Sequence, residues 1–348
     1  MAGRMGKNIV VFSDGTGQEG GKGNNSNVYK LFNTVLDRSP EQISFYDRGL
    51  GTTWKENVAK ATGLGISKNI RDCYRFIFDN FESGDEIFLF GFSRGATTVR
   101  SLSSFIHYFG ILPKARPELI KQAYKIYRIS DRDIRKEKAE EFIARNHTMW
   151  CKIKFLGVWD TVAALGVPVR GLDAIIDEIP FFKHSFHDLK LSESVVHARH
   201  ALAIDDERLS FHPKLWDAKI GKDQTMKQVW FCGMHTDVGG GYKEPELSEI
   251  ALDWMRREAM EHGLEIYNER KLAGDVDGKM HDSRGNWRSR LYRHAVRSWP
   301  TKTHGKPRIH AGALDRKLNR HNKADPAYRP WILDGSSDYD IEPWSTDR

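Results

Sequence analysis

Three cysteines, Cys73, Cys151 and Cys232, are all that the 348 residues contain. They are odd in number, widely spaced and each set in an apolar run, so no disulfide frame follows; the chain reads as one made in a reducing compartment, with buried thiols. Long apolar runs are missing too. No stretch approaches the roughly 18 apolar residues that a membrane-spanning helix needs. The N-terminal MAGRMGKNIVVFSDGTG passes from small and basic residues straight into a strand, and IVVF is too short for the core of a signal peptide. The expectation is cytoplasmic synthesis without a cleaved signal, with export by a specialised secretion machine left open.

Metal and phosphate motifs are absent as well. There is no H-E-x-x-H and no paired C-x-x-C, so neither a catalytic metal nor a cofactor is expected, although HTD (235–237) and DDER (205–208) hold ligand-type residues. The stretch GTGQEGGKGNNS invites comparison with a phosphate-binding loop. The pattern G-x-x-x-x-G-K-[ST] would need Gly where Thr16 stands and Ser or Thr where Gly23 stands, so it fails.

What is present is a foldable composition: 39% hydrophobic, 29% charged and 11% aromatic residues, the apolar ones gathered in short runs. The net charge of +7 favours anionic surroundings, and the bias is strongest between Arg284 and Arg320, where Asp315 is the one acid. This basic C-terminal third suggests peripheral contact with anionic lipid head groups. No nucleic-acid-binding motif accompanies it, and no nucleic acid is expected.

Four runs read as buried strands: NIVVFSD (8–14), EIFLFGF (86–92), KIKFLGVWD (152–160) and KQVWFCGMH (227–235), with QISFYD (42–47) as a weaker fifth. Helical spacing fills the gaps. In 67–81 the apolar residues Ile70, Cys73, Tyr74, Ile77, Phe78 and Phe81 lie on one side, and 96–110 continues as a second helix ending at Gly110. Alternating strands and helices imply an α/β fold, a doubly wound, mostly parallel sheet with helices on both faces. The chain is expected to form one α/β-hydrolase-like domain over 1–348, with its core at about 8–320. Residues 114–147 are expected as surface helices, 165–200 as a cap-like insertion, and 322–348 as an irregular tail.

The chemistry centres on residues 88–97, FLFGFSRGAT, which contain G-x-S-x-G as Gly91, Phe92, Ser93, Arg94 and Gly95. A buried strand precedes Ser93 and a helix follows it, the setting of a nucleophile elbow; the competing reading is a serine that merely caps the helix. A serine nucleophile needs a base and an orienting acid, in the chain order Ser, Asp, His. Order alone nominates Asp237, in HTDVGGGY, and His310, in RIHAGA. Asp160, in GVWDT at the end of the next strand, and His235 are the alternatives. The backbone amides of Arg94, Gly15 and Thr16 are the candidate oxyanion donors, the latter two from the tight turn that ends the first strand.

Several stretches together, NIVVFSDGTGQ, YDRGLGT, GFSRGA, FLGVWDTVAALG, HALAIDDERLSFHP, VWFCGMHTDVGGGY and RIHAGALDRKL, resemble an α/β-hydrolase domain family of bacteria and fungi. Its best-known members are antibacterial phospholipase effectors of type VI secretion. The resemblance runs from about residue 8 to 320. It implies an α/β-hydrolase fold and a serine hydrolase, lipase or phospholipase-like, that cuts a lipid carboxylic ester through an acyl-enzyme on Ser93, with Asp237 and His310 as partners; an effector would also have a cognate inhibitor protein. The late segment departs from the family, reading Ala311-Gly312 where a Ser-Val pair is usual. The alternative is a catalytically silent hydrolase fold that binds a membrane surface or an acidic partner.

Overall fold

The computed structural model describes all residues except 1–5, 16, 19, 38, 50–63, 163–190, 268–271, 288, 319–327, 334–337 and 345–348. Eight strands form one sheet in the order β2-β1-β3-β4-β5-β6-β7-β8, and every neighbouring pair is parallel. They are β1 (Asn8–Ser13), β2 (Gln42–Asp47), β3 (Glu86–Phe92), β4 (Ile153–Trp159), β5 (Val195–Ala203), β6 (Thr225–Phe231), β7 (Arg308–His310) and β8 (Asp340–Glu342). The helices that matter below are α1 (Asn27–Phe32), α2 (Leu64–Asn80), α3 (Arg94–Phe109), α4 (Leu119–Tyr127), α5 (Arg132–Asn146), α6 (His235–Gly239) and α7 (Glu246–Glu261).

Strand side chains alternate between faces, and both faces are covered. Ile9 and Val11 of β1 join a core with α2, α3 and α4, whereas Val10 and Phe12 point to the other side, against α1 and α7. The expected apolar stripe of 67–81 is buried along its length, while Lys68–Asp72 and Arg75–Asp79 pair across the solvent face of the same helix. The two charged helices of 114–147 are α4 and α5. All three cysteines are free and buried.

Three expectations change. Residues 195–200, assigned to a cap, belong to β5; residues 165–190 of that cap lie outside the described residues. The tail is not wholly irregular, since β8 pairs with β7, and buried Glu342 receives Lys227, Trp254 and Arg308. The basic stretch from 284 to 320 is also not simply a surface: Arg297 and Arg316 are buried, and Arg316 donates to the carbonyls of Val276 and Gly278.

Strand order reverses at β1. From there the chain steps to β2 on one side, while β3 lies on the other, and such a switch point opens a crevice beyond the C-terminal strand ends. Asp14 and Gly15 leave β1 there, and Ser93 leaves β3.

Candidate active site

Ser93 turns the chain from β3 into α3 with φ 57° and ψ −120°. A side chain in that left-handed region costs about 1–3 kcal/mol, which the surrounding structure must offset. Two glycines make the turn sterically feasible. A Cβ on Gly91 would lie 2.6 Å from the carbonyl oxygen of Gly95, and one on Gly95 would lie 2.0 Å from that of Ser13. The G-x-S-x-G pattern is therefore a packing requirement of this elbow. Ser93 stands at the N-cap position of α3, but its hydroxyl makes no capping bond to the helix. Its amide instead donates to the carbonyl of Trp159, tying the elbow to the end of β4.

Asp160 follows Trp159 and has φ 38°. Among the described residues only Ser93, His147 and Asp160 are non-glycines with positive φ, so two of the three sit side by side at the ends of adjacent strands. The Asp160 carboxylate has no exposed surface, and Arg297 grips it with both arms, at 2.7 and 2.8 Å. The amide of Ala203 donates to Oδ1, and His235 Nδ1 lies 2.6 Å from Oδ2. Burial alone would raise the pKa of this acid. The charge and hydrogen bonds of Arg297, with the His235 bond, win and hold it well below the usual carboxylate range.

His235 is the first residue of α6, four residues beyond β6, and is 5% exposed. Its ring lies 4.6 Å from that of Phe92, the neighbour of Ser93, and 5.1 Å from that of Phe211. With Nδ1 on Asp160, its other nitrogen, Nε2, is left to act as a base toward a nucleophile.

Asp237 carries a different imidazole from the one expected. His281 Nδ1 lies 2.6 Å from its Oδ1, and its Oδ2 accepts from the amides of Met234 and His281. Burial raises the pKa of Asp237, against the pull of those bonds. The His281 ring stacks on Tyr242 at 3.8 Å, and its Nε2 faces Glu244 at 3.6 Å, so both nitrogens look toward carboxylates.

His310 ends β7, four strand spacings from β3, or roughly 19 Å across the sheet. It is buried between Phe231 and Trp344, and its Nδ1 accepts from the amide of Gly312. That nitrogen does not meet Asp237, whose carboxylate lies against His281 instead. Another histidine, His200, is also occupied: Nε2 accepts from the amide of Thr161, and burial lowers its pKa to about 3.

The oxyanion candidates separate too. The amide of Gly15 donates to Asp14 Oδ1 at 2.6 Å and is thus already committed. Asp14 also accepts from Ser26 and Tyr46, and burial raises its pKa to about 6 against those three bonds. Gly15 nonetheless packs on the elbow, since a Cβ there would lie 3.4 Å from Cβ of Ser93. Thr16 lies outside the described residues. The amide of Arg94, first in α3, remains at the elbow.

Sequence reasoning missed Arg297 and His281. Arg297 stands 137 residues from Asp160 in a segment read only for its charge, and no local pattern marks it. His281 follows a methionine in a loop and offers no spacing signal.

Ligand-type clusters outside this site are held by protein partners. Asp206 binds Arg208 through both oxygens. Among the described residues Glu258, Glu261 and His262 bring ligand atoms within 4.8 Å of one another, but Glu258 is engaged by Arg199 and Lys227. No helix of the described residues is long and apolar enough to cross a membrane.

The family described as type VI secretion, phospholipase effector Tle1-like, catalytic domain matches residues 7–258. The uncharacterized protein YEL023C of Saccharomyces cerevisiae is 30% identical over 233 residues, which cover 59% of this chain and 32% of that protein. An uncharacterized protein from Pseudomonas aeruginosa, known as a crystal structure, overlaps with a TM-score of 0.46 at 17% identity, covering 75% of this chain and 46% of that one. A structure of the Tle1 effector bound to the VgrG spike overlaps with a TM-score of 0.35 at 19% identity, covering 69% and 52%. The chain thus spans about a third to a half of the length of these relatives.

Proposed function

The chain belongs to the Tle1-like catalytic-domain family of type VI secretion phospholipase effectors, and from that premise we propose that it is a serine carboxylic-ester hydrolase acting on lipid esters, with Ser93, His235 and Asp160 as its triad. The carrying observation is the 2.6 Å contact of His235 Nδ1 with an Asp160 held ionised, on a ring packed against the neighbour of Ser93. This set keeps the chain order Ser, Asp, His.

In this mechanism Ser93 Oγ attacks the acyl carbonyl while His235 Nε2 takes its proton. Asp160 fixes the tautomer that carries hydrogen on Nδ1 and stabilises the imidazolium that forms. The amide of Arg94 donates to the oxyanion, and the dipole of α3 adds to it. His235 then returns the proton to the leaving alcohol. Water, deprotonated by His235, attacks the acyl-enzyme and releases the acid.

Asp237 favours this assignment by contrast. Its pKa is raised, and its imidazole partner, His281, faces a second carboxylate, so that pair suits a clasp between α6 and the 281 loop better than a relay to Ser93. Contact with anionic lipid through the exposed part of the basic C-terminal third, export by a secretion machine, and a cognate inhibitor are extensions of the same proposal. A fluorophosphonate probe tests it: label on Ser93, with acid release lost in Ser93→Ala, is expected, and label elsewhere with activity intact rejects it.

A further inference from the structure

Among the described residues eight large apolar side chains are exposed, and three of them, Trp287 (70%), Leu291 (47%) and Val296 (48%), fall between 287 and 296. A lone exposed apolar residue is ordinary, whereas a cluster marks a surface that something covers. Local hydrogen bonds hold this one in place. The amide of Arg290 bonds back to the carbonyl of Asn286, and that of Tyr292 to the carbonyl of Ser289, consecutive turns that set Trp287 and Leu291 about one turn apart.

The same segment is seated beside the candidate active site. Leu209 donates its amide to the carbonyl of Arg293, Ala295 donates to that of Glu207, and His212 Nε2 lies 3.0 Å from the carbonyl of Ala295. Rings continue the contact inward: Tyr292 packs edge-on against Phe211 at 5.6 Å, and Phe211 against His235 at 5.1 Å. Tyr292, the residue after Leu291, is thus two ring contacts from the proposed base.

The charge around the cluster has one sign. No acid occurs from Ser283 to Leu314. Arg297 and Arg308 in that span are engaged by Asp160 and Glu342, while Arg290 and Arg293 are exposed on either side of Leu291. On the stretch that pairs with this segment, Asp206 is held by Arg208 and Glu207 by His294. Apolar tips led by an indole, interleaved with guanidinium groups, match an anionic bilayer surface, which offers an apolar layer beneath its phosphates. A nucleic acid would meet the charge but leave Leu291 and Val296 in water.

We infer that Trp287, Leu291 and Val296, with Arg290 and Arg293 between them, form an interfacial anchor that enters the head-group layer of an anionic membrane and brings the Ser93–His235 site to it. This inference rests on the lipid-ester hydrolase reading and adds to its electrostatic contact an apolar component at a fixed place. Stable attachment to a bilayer takes two signals, so apolar tips and charge are both required.

The test is flotation of the full chain, carrying Ser93→Ala to spare the lipid, with vesicles of equal parts phosphatidylglycerol and phosphatidylcholine or of phosphatidylcholine alone. Binding is expected to need phosphatidylglycerol, to weaken with salt, and to fall about tenfold or more both in Trp287→Ser with Leu291→Ser and in Arg290→Gln with Arg293→Gln, with folding checked by circular dichroism. Trp150→Ser is the control, since Trp150 is 57% exposed but precedes β4, at the opposite edge of the sheet from Ser93. Quenching of tryptophan emission by brominated lipid should be lost in Trp287→Ser and kept in Trp150→Ser. Binding indifferent to either pair of substitutions, equal on the two kinds of vesicle, or lowered as much by Trp150→Ser overturns the inference; so does salt-sensitive binding to a single-stranded oligonucleotide in place of vesicles. Ser93-dependent turnover of a short-chain monomeric ester by the wild-type chain, without vesicle binding, overturns the inference alone. Absence of Ser93-dependent hydrolysis of any ester overturns the underlying reading instead.

Discussion

The Nδ1 atom of His235 lies 2.6 Å from Oδ2 of Asp160, and the same carboxylate is locked by both arms of Arg297. Acid and imidazole come from the ends of β4 and β6, with β5 between them, and the first of these strands is the neighbour of the one that carries Ser93. The strained backbone at both Ser93 and Asp160 is paid for by this shared framework rather than by either loop alone.

Arg297 is the first place to probe that framework. Removing one partner of a buried ion pair leaves the other charge uncompensated, at a cost of about 3–5 kcal/mol. Arg297→Met should therefore lower the urea midpoint strongly, and Asp160→Asn combined with Arg297→Met should recover part of the loss. A double variant no more stable than the single would contradict the pairing.

The elbow glycines give a steric prediction. A Cβ on Gly95 meets the backbone oxygens of Ser13 and Asp14 at 2.0 and 2.6 Å, with no flexible side chain to yield. Gly95→Ala should cost about 3 kcal/mol or more and lower activity together with folded fraction, as seen by circular dichroism and ester turnover. A Gly95→Ala chain as stable as wild type would contradict this packing.

Much of this was legible in the sequence because local letters carried it. Continuous apolar runs gave β1, β3 and β4 almost to the residue, and the elbow declared itself by a strand before Ser93 and a helix after it. The site partners were harder for a traceable reason. β5 reads VVHARHALA, and its polar letters hide a buried strand: Arg199 is satisfied by Glu258, and His200 by the amide of Thr161. Chain order nominates Asp237 with a later histidine, but order does not say which imidazole meets which carboxylate: Asp237 meets His281, and Asp160 meets His235. Contacts such as Asp160 with Arg297 depend on which strand ends lie side by side, which a linear pattern does not encode.

Stability should carry the mark of Asp205. Burial raises its pKa from 3.8 to about 7, against hydrogen bonds from the Gly233 amide and the Tyr328 hydroxyl. A raised acid stabilises the fold fully below its unfolded pKa and loses that contribution as pH climbs through the folded value. The wild-type melting temperature should thus carry a downward slope between about pH 4 and 7 that Asp205→Asn flattens. An unchanged slope would place the proton elsewhere.

The most direct measurement is ester turnover, corrected for folded protein, in His235→Gln, His281→Gln and His310→Gln beside Ser93→Ala. Loss of at least about a thousandfold for Ser93→Ala and His235→Gln, with less than about tenfold for His281→Gln and His310→Gln, is the predicted result. A His235→Gln chain that keeps its rate while His281→Gln or His310→Gln loses it would contradict the triad.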